Sequence, residues 1–351
     1  MRRILGLPLL GVSLLVTAAC SESSPSSNPV TGGAAGTTAS PAGGGGSTTA
    51  GRGGTGGATG GSGSVMGGAS GATAGGGMTS NAGSGGGAGH VPVPSAGCGK
   101  LNPATGSRTV MTGGKTGMFN VNLPADYDAT KPMPLGFGFH GFGNGACGPT
   151  EGECRGFAML PAVTVYMKSL SDGWEQAPVL EQNVTYWQDV LALMKREYCI
   201  DESRIFVAGV SSGGQFVEHL TCRFGDTLWQ VSPVCASVVG AAKNDCNGTP
   251  PILVIHGVTD QAGNYGEDVV AMFAERNGCS PTPPPGLAKA KTDMMAAREA
   301  EKTEHVCLDW AGCTANPVRF CISSQITYDG LTHGWPQVGG TLISEFHDTI
   351  E

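Results

Sequence analysis

The sequence predicts an α/β fold, in which a mostly parallel sheet is covered by helices on both faces. Short apolar runs bounded by proline or glycine alternate with segments of helical periodicity, an alternation typical of parallel sheets. A glycine-rich N-terminal segment precedes this pattern. The predicted fold therefore concerns residues 98–351, a length that suits one large domain with a substantial core.

The first 19 residues predict an exported protein. Arg2 and Arg3 precede an apolar run over residues 4–16, and small residues follow, as in a secretory signal peptide. The run is shorter than the ~20 apolar residues of a membrane span. Cys20 follows two alanines, an arrangement that resembles the lipoprotein box, in which the cysteine carries the lipid. We expect a cell-surface or outer-membrane lipoprotein that meets the membrane only through this anchor. Free secretion is the alternative if Cys20 is not lipidated.

Residues 20–97 predict a flexible tether between this anchor and the folded part. Residues 21–97 contain 27 of the 59 glycines and no Trp, Phe, Tyr or Leu, and their only charged side chains are Glu22 and Arg52. Such a segment cannot bury enough apolar surface to offset the entropy of ordering it. We interpret it as a passive spacer with a reach of roughly 45–50 Å.

The charge of the folded part argues against a nucleic-acid partner. Residues 98–351 contain 17 basic and 27 acidic side chains, a net charge of −10. A polyanion would have to bind against this field. We therefore expect no nucleic-acid partner, and we expect a monomer.

The cysteine content predicts disulfides. The chain has 12 cysteines, of which 11 remain if Cys20 carries lipid, and export favours their oxidation. The odd remainder predicts at least one free thiol, but the spacing leaves the pairing open. A rival interpretation is a zinc site, although the spacings differ from C-x-x-C pairs and we expect no metal. Its ligands would be His305, Cys307, Cys313 and Cys321.

Four apolar runs predict buried strands that bring functional groups together. They lie at residues 134–139, 162–166, 205–208 and 252–255, and a helix is predicted over residues 183–198. In parallel sheets the reactive groups gather where strands end and loops begin.

The run at 205–208 leads into Gly209-Val210-Ser211-Ser212-Gly213, a G-x-S-x-G pattern, and a helix is predicted over residues 215–223. Such a strand–turn–helix needs glycine because the serine backbone is strained and its neighbours pack closely. Ser211 is the predicted nucleophile, and the backbone N–H of Ser212 would stabilise the developing oxyanion. The alternative is a structural Gly/Ser turn.

An acid and a base follow in order along the chain. Asp260 lies just beyond the strand at 252–255, and His333 lies in a glycine-rich loop. Serine, acid and histidine in this order are typical of α/β-hydrolases, where the carboxylate orients a neutral imidazole that activates the serine. Asp268 is the nearest competitor for the acid, and a turn or N-cap role is the alternative for Asp260.

The remaining histidines and the second oxyanion donor are assigned by position. His140 and His256 precede glycines at strand ends and are interpreted as packing residues of their turns, while His219 and His347 have no motif around them. A backbone N–H in residues 141–143 is the expected second donor. Phe142 is our choice, with a tight turn that contacts no ligand as the alternative.

Four blocks of the sequence resemble an exported esterase family that groups feruloyl and acetylxylan esterases of carbohydrate esterase family 1 with polyhydroxybutyrate depolymerase-like proteins. The blocks are the His140-Gly141 turn and residues 198–214, 256–260 and 332–336. The resemblance covers nearly all of residues 115–345. It implies an α/β-hydrolase fold with disulfide-stapled loops, no cofactor, and the nucleophile, acid and base roles for Ser211, Asp260 and His333.

These patterns predict an exported serine carboxylic-ester hydrolase, most similar to feruloyl esterases. It would cleave hydroxycinnamoyl or acetyl esters of plant cell-wall polysaccharide through an acyl-enzyme. Trp335 and Trp174 are predicted to line the acyl or sugar pocket, with burial in the core as the alternative. Depolymerisation of polyhydroxyalkanoate or another polyester is the second hypothesis, and a non-catalytic surface-binding protein is the third. Residues 281–304 look like an insertion with a helix at 289–304, to which the sequence assigns no role.

Overall fold

The computed structural model describes residues 90–143, 147–148, 152–239, 246–260, 265–325, 327 and 333–351. The predicted signal segment 1–19, Cys20 and the tether up to residue 89 lie outside these residues. Within the described part of the chain, no helix has the length and hydropathy needed to cross a membrane.

A nine-stranded sheet forms the centre of the described domain, in the order β1-β2-β4-β3-β5-β6-β7-β9-β8. The six strands from β4 to β9 in this order run parallel, and the antiparallel β1–β2 hairpin and β8 flank them. The carboxyl ends of the parallel strands therefore meet at one edge of the sheet. The strands are β1 Gly106–Thr112, β2 Lys115–Asn122, β3 Met133–Phe139, β4 Val163–Lys168, β5 Ile200–Val210, β6 Gln230–Val234, β7 Ile252–Gly257, β8 His305–Asp309 and β9 Val318–Ser323.

Burial along the strands follows their place in the sheet. Every residue of β6 and β7 is buried, whereas β1 alternates between exposed and half-buried positions. Continuous burial is expected of strands covered on both faces, and alternation of a strand with one solvated face. The predicted parallel sheet with helices on both faces is confirmed.

Two apolar clusters occupy the two faces. Phe137 and Val207 belong to the first cluster, and Phe206 and Ala208 belong to the second, as alternation along a strand requires. The first cluster contains residues of α1 to α4, and the second contains residues of α5. The helices are α1 Val179–Glu197, α2 Ser212–Phe224, α3 Tyr265–Arg276, α4 Leu287–Glu299 and α5 Gly339–Ile350, with short 3-10 helices at Arg155–Met159 and Gly225–Thr227.

The domain includes residues that the sequence assigned to the tether. The backbone N–H of Ser95 donates to the carbonyl of Ile200 at 2.9 Å, and its hydroxyl donates to the carbonyl of Tyr198 at 2.7 Å. The backbone N–H of Val93 donates to Asp201 Oδ1 at 2.9 Å. Val93 and Ser95, which lie within the predicted tether, are therefore bonded to the folded part, and the boundary at residue 98 stays a prediction.

The described residues contain five disulfides, and Cys235 is their free, buried cysteine. The unpaired cysteine that the odd count predicts is thus a thiol inside the fold. The rival zinc interpretation is wrong, because each of its three cysteines is in a disulfide. The pairs are Cys98–Cys199, Cys147–Cys154, Cys222–Cys246, Cys279–Cys313 and Cys307–Cys321.

Candidate active site

Ser211 occupies a strained turn between β5 and α2. Its backbone has φ 55° and ψ −120°, a region that non-glycine residues rarely adopt and that costs on the order of 1–3 kcal/mol. Two hydrogen bonds of 2.9 Å hold it there, from its own N–H to the carbonyl of Val234 and from the N–H of Gln215 to its carbonyl. The turn has the strand–turn–helix form that the G-x-S-x-G pattern predicts.

The glycines of the pattern are required by close backbone contacts. A Cβ at Gly209 would lie 2.4 Å from the carbonyl oxygen of Gly213, and one at Gly213 would lie 2.4 Å from that of Phe139. Atoms at such distances overlap, so neither position accepts a side chain without displacement of the backbone. The turn with Ser211 is therefore fixed by the packing of main chain against main chain.

Asp260 and His333 form a directly bonded pair. The Nδ1 atom of His333 lies 3.0 and 2.9 Å from the two carboxylate oxygens of Asp260, whose residue is 7% exposed. An ionised carboxylate only accepts hydrogen bonds, so Nδ1 carries the proton and Nε2 is left to act as a base. The hydrogen bond to Asp260 raises the pKa of His333, against the opposing effect of burial.

Neighbouring strands bring this pair close to Ser211. The N–H of Ser211 bonds the carbonyl of Val234, and the next residue, Cys235, has its thiol 3.4 Å from the carbonyl oxygen of Gly334, beside His333. Among the described residues no hydrogen bond joins Ser211 Oγ to His333 Nε2. In unliganded enzymes this bond is often long and tightens when substrate binds.

The competing acid, Asp268, lies in the first turn of α3. It lines a separate cavity of about 690 Å³ with Val238 and Arg276. In the described part of the chain it has no hydrogen bond with His333, which favours Asp260 as the acid.

Ser212, the first expected oxyanion donor, begins α2. Its backbone N–H is in the first turn of the helix, where no carbonyl four residues earlier is available. Its hydroxyl donates to Glu175 Oε2 and accepts the backbone N–H of Trp174 at 3.0 Å. These contacts fix the orientation of the residue whose N–H would meet the substrate. No motif in the sequence points to Glu175.

Phe142 differs from Gly141 and Gly143 in the hydrogen bonding of its backbone N–H. The N–H of Gly141 donates to Glu153 Oε2 at 2.5 Å, and that of Gly143 donates to the carbonyl of Asp172 at 2.7 Å. Within the described residues the Phe142 N–H has no acceptor. Its position is therefore compatible with the predicted second oxyanion donor.

Two predicted substrate residues lie in the core instead. Trp174 is fully buried, stacks on Phe216 with 5.0 Å between ring centroids, and donates its Nε1–H to the carbonyl of His140 at 2.9 Å. Trp335 is 2% exposed and meets the ring of Phe157 edge to face. The prediction that they line the acyl or sugar pocket is wrong, because both indoles serve apolar packing. The exposed aromatic ring at this edge is that of Phe142, 61% exposed.

Four further histidines, His140, His219, His256 and His347, are buried. His140 Nε2 accepts the backbone N–H of Ser169 at 3.1 Å, so its Nδ1 carries a proton and donates to the carbonyl of Gly141. Burial lowers the pKa of His140, and likewise that of His256 and His219. Burial also lowers the pKa of His347 to about 3. These surroundings agree with the structural interpretation of the sequence.

Asp260 belongs to a cluster of three buried side chains. Potential ligand atoms of Cys235, His256 and Asp260 all lie within 4.8 Å of one another. Such donors could hold a soft divalent cation. However, the Asp260 carboxylate already bonds His333, and burial raises the pKa of the Cys235 thiol, which therefore keeps its proton. We assign the cluster to the surroundings of the acid.

A strained serine turn, a buried acid and a histidine bonded to it lie along the carboxyl edge of one parallel sheet. This arrangement is that of the α/β-hydrolase fold. The similar proteins reported below are named feruloyl esterases, and the resemblance to that group is confirmed.

No family profile matches this chain. Probable feruloyl esterase C of Aspergillus niger is 27% identical over 253 residues, which cover 69% of this chain and 84% of that protein. Feruloyl esterase D of Neurospora crassa is 29% identical over 208 residues, which cover 54% of this chain and 70% of that protein. Among solved structures, a thermostable esterase aligns with a TM-score of 0.40 and 19% identity, over 48% of this chain and 51% of that chain, about half its length.

Proposed function

We propose that this protein is an exported serine esterase of the feruloyl esterase type. It cleaves hydroxycinnamoyl or acetyl esters of plant cell-wall polysaccharide. The observation that carries the proposal is the Asp260–His333 pair at the strand edge that also presents Ser211. The names of the similar proteins support the choice of ester.

The proposed reaction proceeds in two halves. Ser211 Oγ attacks the ester carbonyl carbon while its proton passes to His333 Nε2, and the carbonyl oxygen becomes an oxyanion bound by the N–H groups of Ser212 and Phe142. The C–O bond to the sugar then breaks, and the departing alkoxide takes the proton from His333. Water repeats the sequence on the acyl-enzyme and releases the carboxylic acid and free Ser211.

Asp260 stabilises the charge that His333 acquires in each half-reaction. Its carboxylate is buried and faces Nδ1, so the imidazolium is favoured and the ring stays in the tautomer that exposes Nε2. The raised pKa of His333 expresses the same interaction. Activity should therefore rise with pH as His333 loses its proton.

The position of Phe142 supports the proposal that the acyl group is aromatic. Its ring is exposed, and a Cβ at Gly173 would lie 2.9 Å from it, so the ring lies directly against the glycine backbone. An exposed ring beside an expected oxyanion donor offers a flat apolar surface to a hydroxycinnamoyl ring. The chemistry needs no cofactor.

Export is supported by the five disulfides of the described residues, because such bonds persist in oxidising compartments. We extend the proposal to lipid attachment at Cys20, on the basis of the sequence before it. Fractionation of cells that produce the full chain tests this point. The parent should partition with membranes, and Cys20→Ala should not. If the two proteins partitioned alike, secretion without a lipid anchor would be the remaining alternative.

The decisive experiment is hydrolysis of methyl ferulate by the mature protein, followed by absorbance. Ser211→Ala and an aryl acetate serve as controls. Turnover of the ferulate that disappears in the variant supports both the nucleophile and the aromatic acyl site. Turnover of the acetate alone would move the substrate towards acetylated xylan or a polyester. Absence of turnover and of labelling by a serine-reactive phosphonate would indicate a binding protein.

A further inference from the structure

Helix α4, in the insertion, contacts the chain between β9 and His333. The Nη1 atom of Arg298, in the last turn of α4, donates to the carbonyls of Ser324, at 3.2 Å, and Gln325. A guanidinium can hold two carbonyls at once because its N–H groups are planar and fixed in direction. Arg298 thus anchors the segment that follows β9.

Gln325 is the unusual residue of that segment. It is 1% exposed and has φ 58°, a left-handed conformation that a non-glycine residue adopts at a cost of roughly 1–2 kcal/mol. Its own N–H donates to the hydroxyl of Ser323 at 3.2 Å. In this conformation the side chain reaches Thr259 in the loop after β7.

The side chain of Gln325 holds the loop that carries the acid. Its Oε1 accepts both the backbone N–H of Thr259, at 2.8 Å, and the hydroxyl of Thr259, at 2.7 Å. A backbone N–H can only donate, so the oxygen of the amide must face Thr259. Thr259 is the residue immediately before Asp260.

The glycine of the acid loop is required by this contact. A Cβ at Gly257 would lie 2.1 Å from Cδ of Gln325. The Asp260 N–H donates to the carbonyl of Gly257 at 3.2 Å, which closes the turn, and the Val258 N–H donates to the carbonyl of Ser323 at 3.0 Å. The turn is therefore bonded along its length to the segment that Arg298 anchors.

We infer that Arg298 and Gln325 are positioning residues for the triad acid, and that helix α4 supports the acid loop. The inference rests on the proposed role of Asp260. Two side-chain contacts in sequence, from Arg298 to the backbone of Gln325 and from Gln325 to Thr259, connect α4 to the residue before Asp260. Loss of either contact leaves the loop free to move Asp260 from His333 Nδ1.

The test compares Arg298→Ala with Arg298→Lys and with Lys289→Ala in the whole mature protein. Lys289 is exposed on the same helix and pairs with Asp293, so its loss removes an ion pair of α4 without touching the acid loop. We expect Arg298→Ala to lower kcat about tenfold to a hundredfold with little change in KM, since small displacements of a catalytic group have effects of this size. Arg298→Lys should recover part of the loss, and Lys289→Ala should resemble the parent.

The pH profile separates positioning from general damage. A weaker bond to Asp260 lowers the pKa of His333, so the acidic limb of kcat/KM should move to lower pH in Arg298→Ala. Among the described residues, the other titratable groups that act on or beside this pair are Glu153, His256, Cys235, Glu267 and Lys291, and the substitution leaves all five unchanged. A variant that is only less stable would lose active protein without any shift of the limb.

Gln325→Met provides the second variant. Methionine keeps a similar length and removes the acceptor, so kcat and the acidic limb should change in the same direction as in Arg298→Ala. Titration of Ser211 with a phosphonate before each assay corrects for protein that fails to fold. Unchanged kcat and an unmoved limb in both folded variants would overturn the inference. An inactive parent, or an active Asp260→Asn variant, would instead overturn the proposed function.

Discussion

The two sides of the candidate site, the turn with Ser211 and the loop with Asp260, are held in place by different means. Ser211 lies in a turn where backbone meets backbone, and its glycines cannot accept a Cβ. Asp260 lies in a loop where backbone hydrogen bonds are joined by the support of a distant side chain, the amide of Gln325. Backbone packing imposes a short local pattern on the sequence. Side-chain support comes from residues far along the chain and imposes no such pattern.

The largest effect on activity is expected from the loss of the Ser211 hydroxyl. Ser211→Ala should lower kcat by about 10⁴-fold to 10⁶-fold, because no other group replaces the nucleophile. The melting temperature should stay close to that of the parent, since alanine adopts the same backbone with the same strain. Steady-state hydrolysis and calorimetry check the two statements, and a loss of less than about tenfold would exclude Ser211 as nucleophile.

The next effect tests the acid side. Asp260→Asn should lower kcat by about 10³-fold to 10⁴-fold, because an amide can favour the wrong tautomer of His333. The acidic limb of kcat/KM should also move to lower pH, since the carboxylate is what raises the pKa of His333. The pH dependence of both parameters is the measurement. An unmoved limb in an otherwise impaired variant would argue that another acid faces the histidine.

A third substitution tests the rigidity of the nucleophile turn. Gly213→Ala should destabilise the fold by roughly 1–3 kcal/mol, because the new Cβ would lie 2.4 Å from the carbonyl oxygen of Phe139. Gly106→Ala is the matched control, since no atom lies within 4 Å of a Cβ there, although its φ of 79° retains a conformational cost. Urea unfolding measures the difference, and equal losses would show that conformation, not contact, limits both sites.

The smallest effect on activity is expected at Glu218, in the helix that follows Ser211. Glu218 on α2 is fully buried, its Oε2 accepts the backbone N–H of Val239 at 3.0 Å, and burial raises its pKa to about 8. The folded carboxyl therefore keeps a proton that the unfolded chain loses near pH 4.3, so stability should fall as pH rises between these values. Glu218→Gln should flatten this fall, which amounts to about 1.4 kcal/mol for each pH unit between the two values. Unfolding midpoints at pH 5 and pH 8 decide the point.

The sequence anticipated what depends on local pattern. The four buried runs correspond to β3, β4, β5 and β7, and the predicted helix at 183–198 corresponds to α1 Val179–Glu197. The strands β1, β6 and β8 had no comparable signal. β1 alternates in exposure, and β6 has five residues that include a proline. These three strands form because they pair with neighbouring strands, and their own residues show no clear strand pattern.

The same limit explains the errors at the site. Tryptophan beside a catalytic motif suits a pocket wall and a core equally well, and only the surrounding fold distinguishes the two for Trp174 and Trp335. Glu175 and Gln325 escaped notice because their partners, Ser212 and Thr259, lie 37 and 66 residues away. Contacts at such separations are set by topology, which a single sequence does not reveal.

The attachment of the N-terminal segment has a mechanical consequence. Residues 93–95 and the Cys98–Cys199 bridge are bound at the beginning of β5, whereas Ser211 follows its end, roughly 35 Å further along the strand. Tension on the chain from its N-terminal side is therefore received at the amino edge of the sheet. The bridge and the backbone hydrogen bonds at the beginning of β5 are the first to take this load.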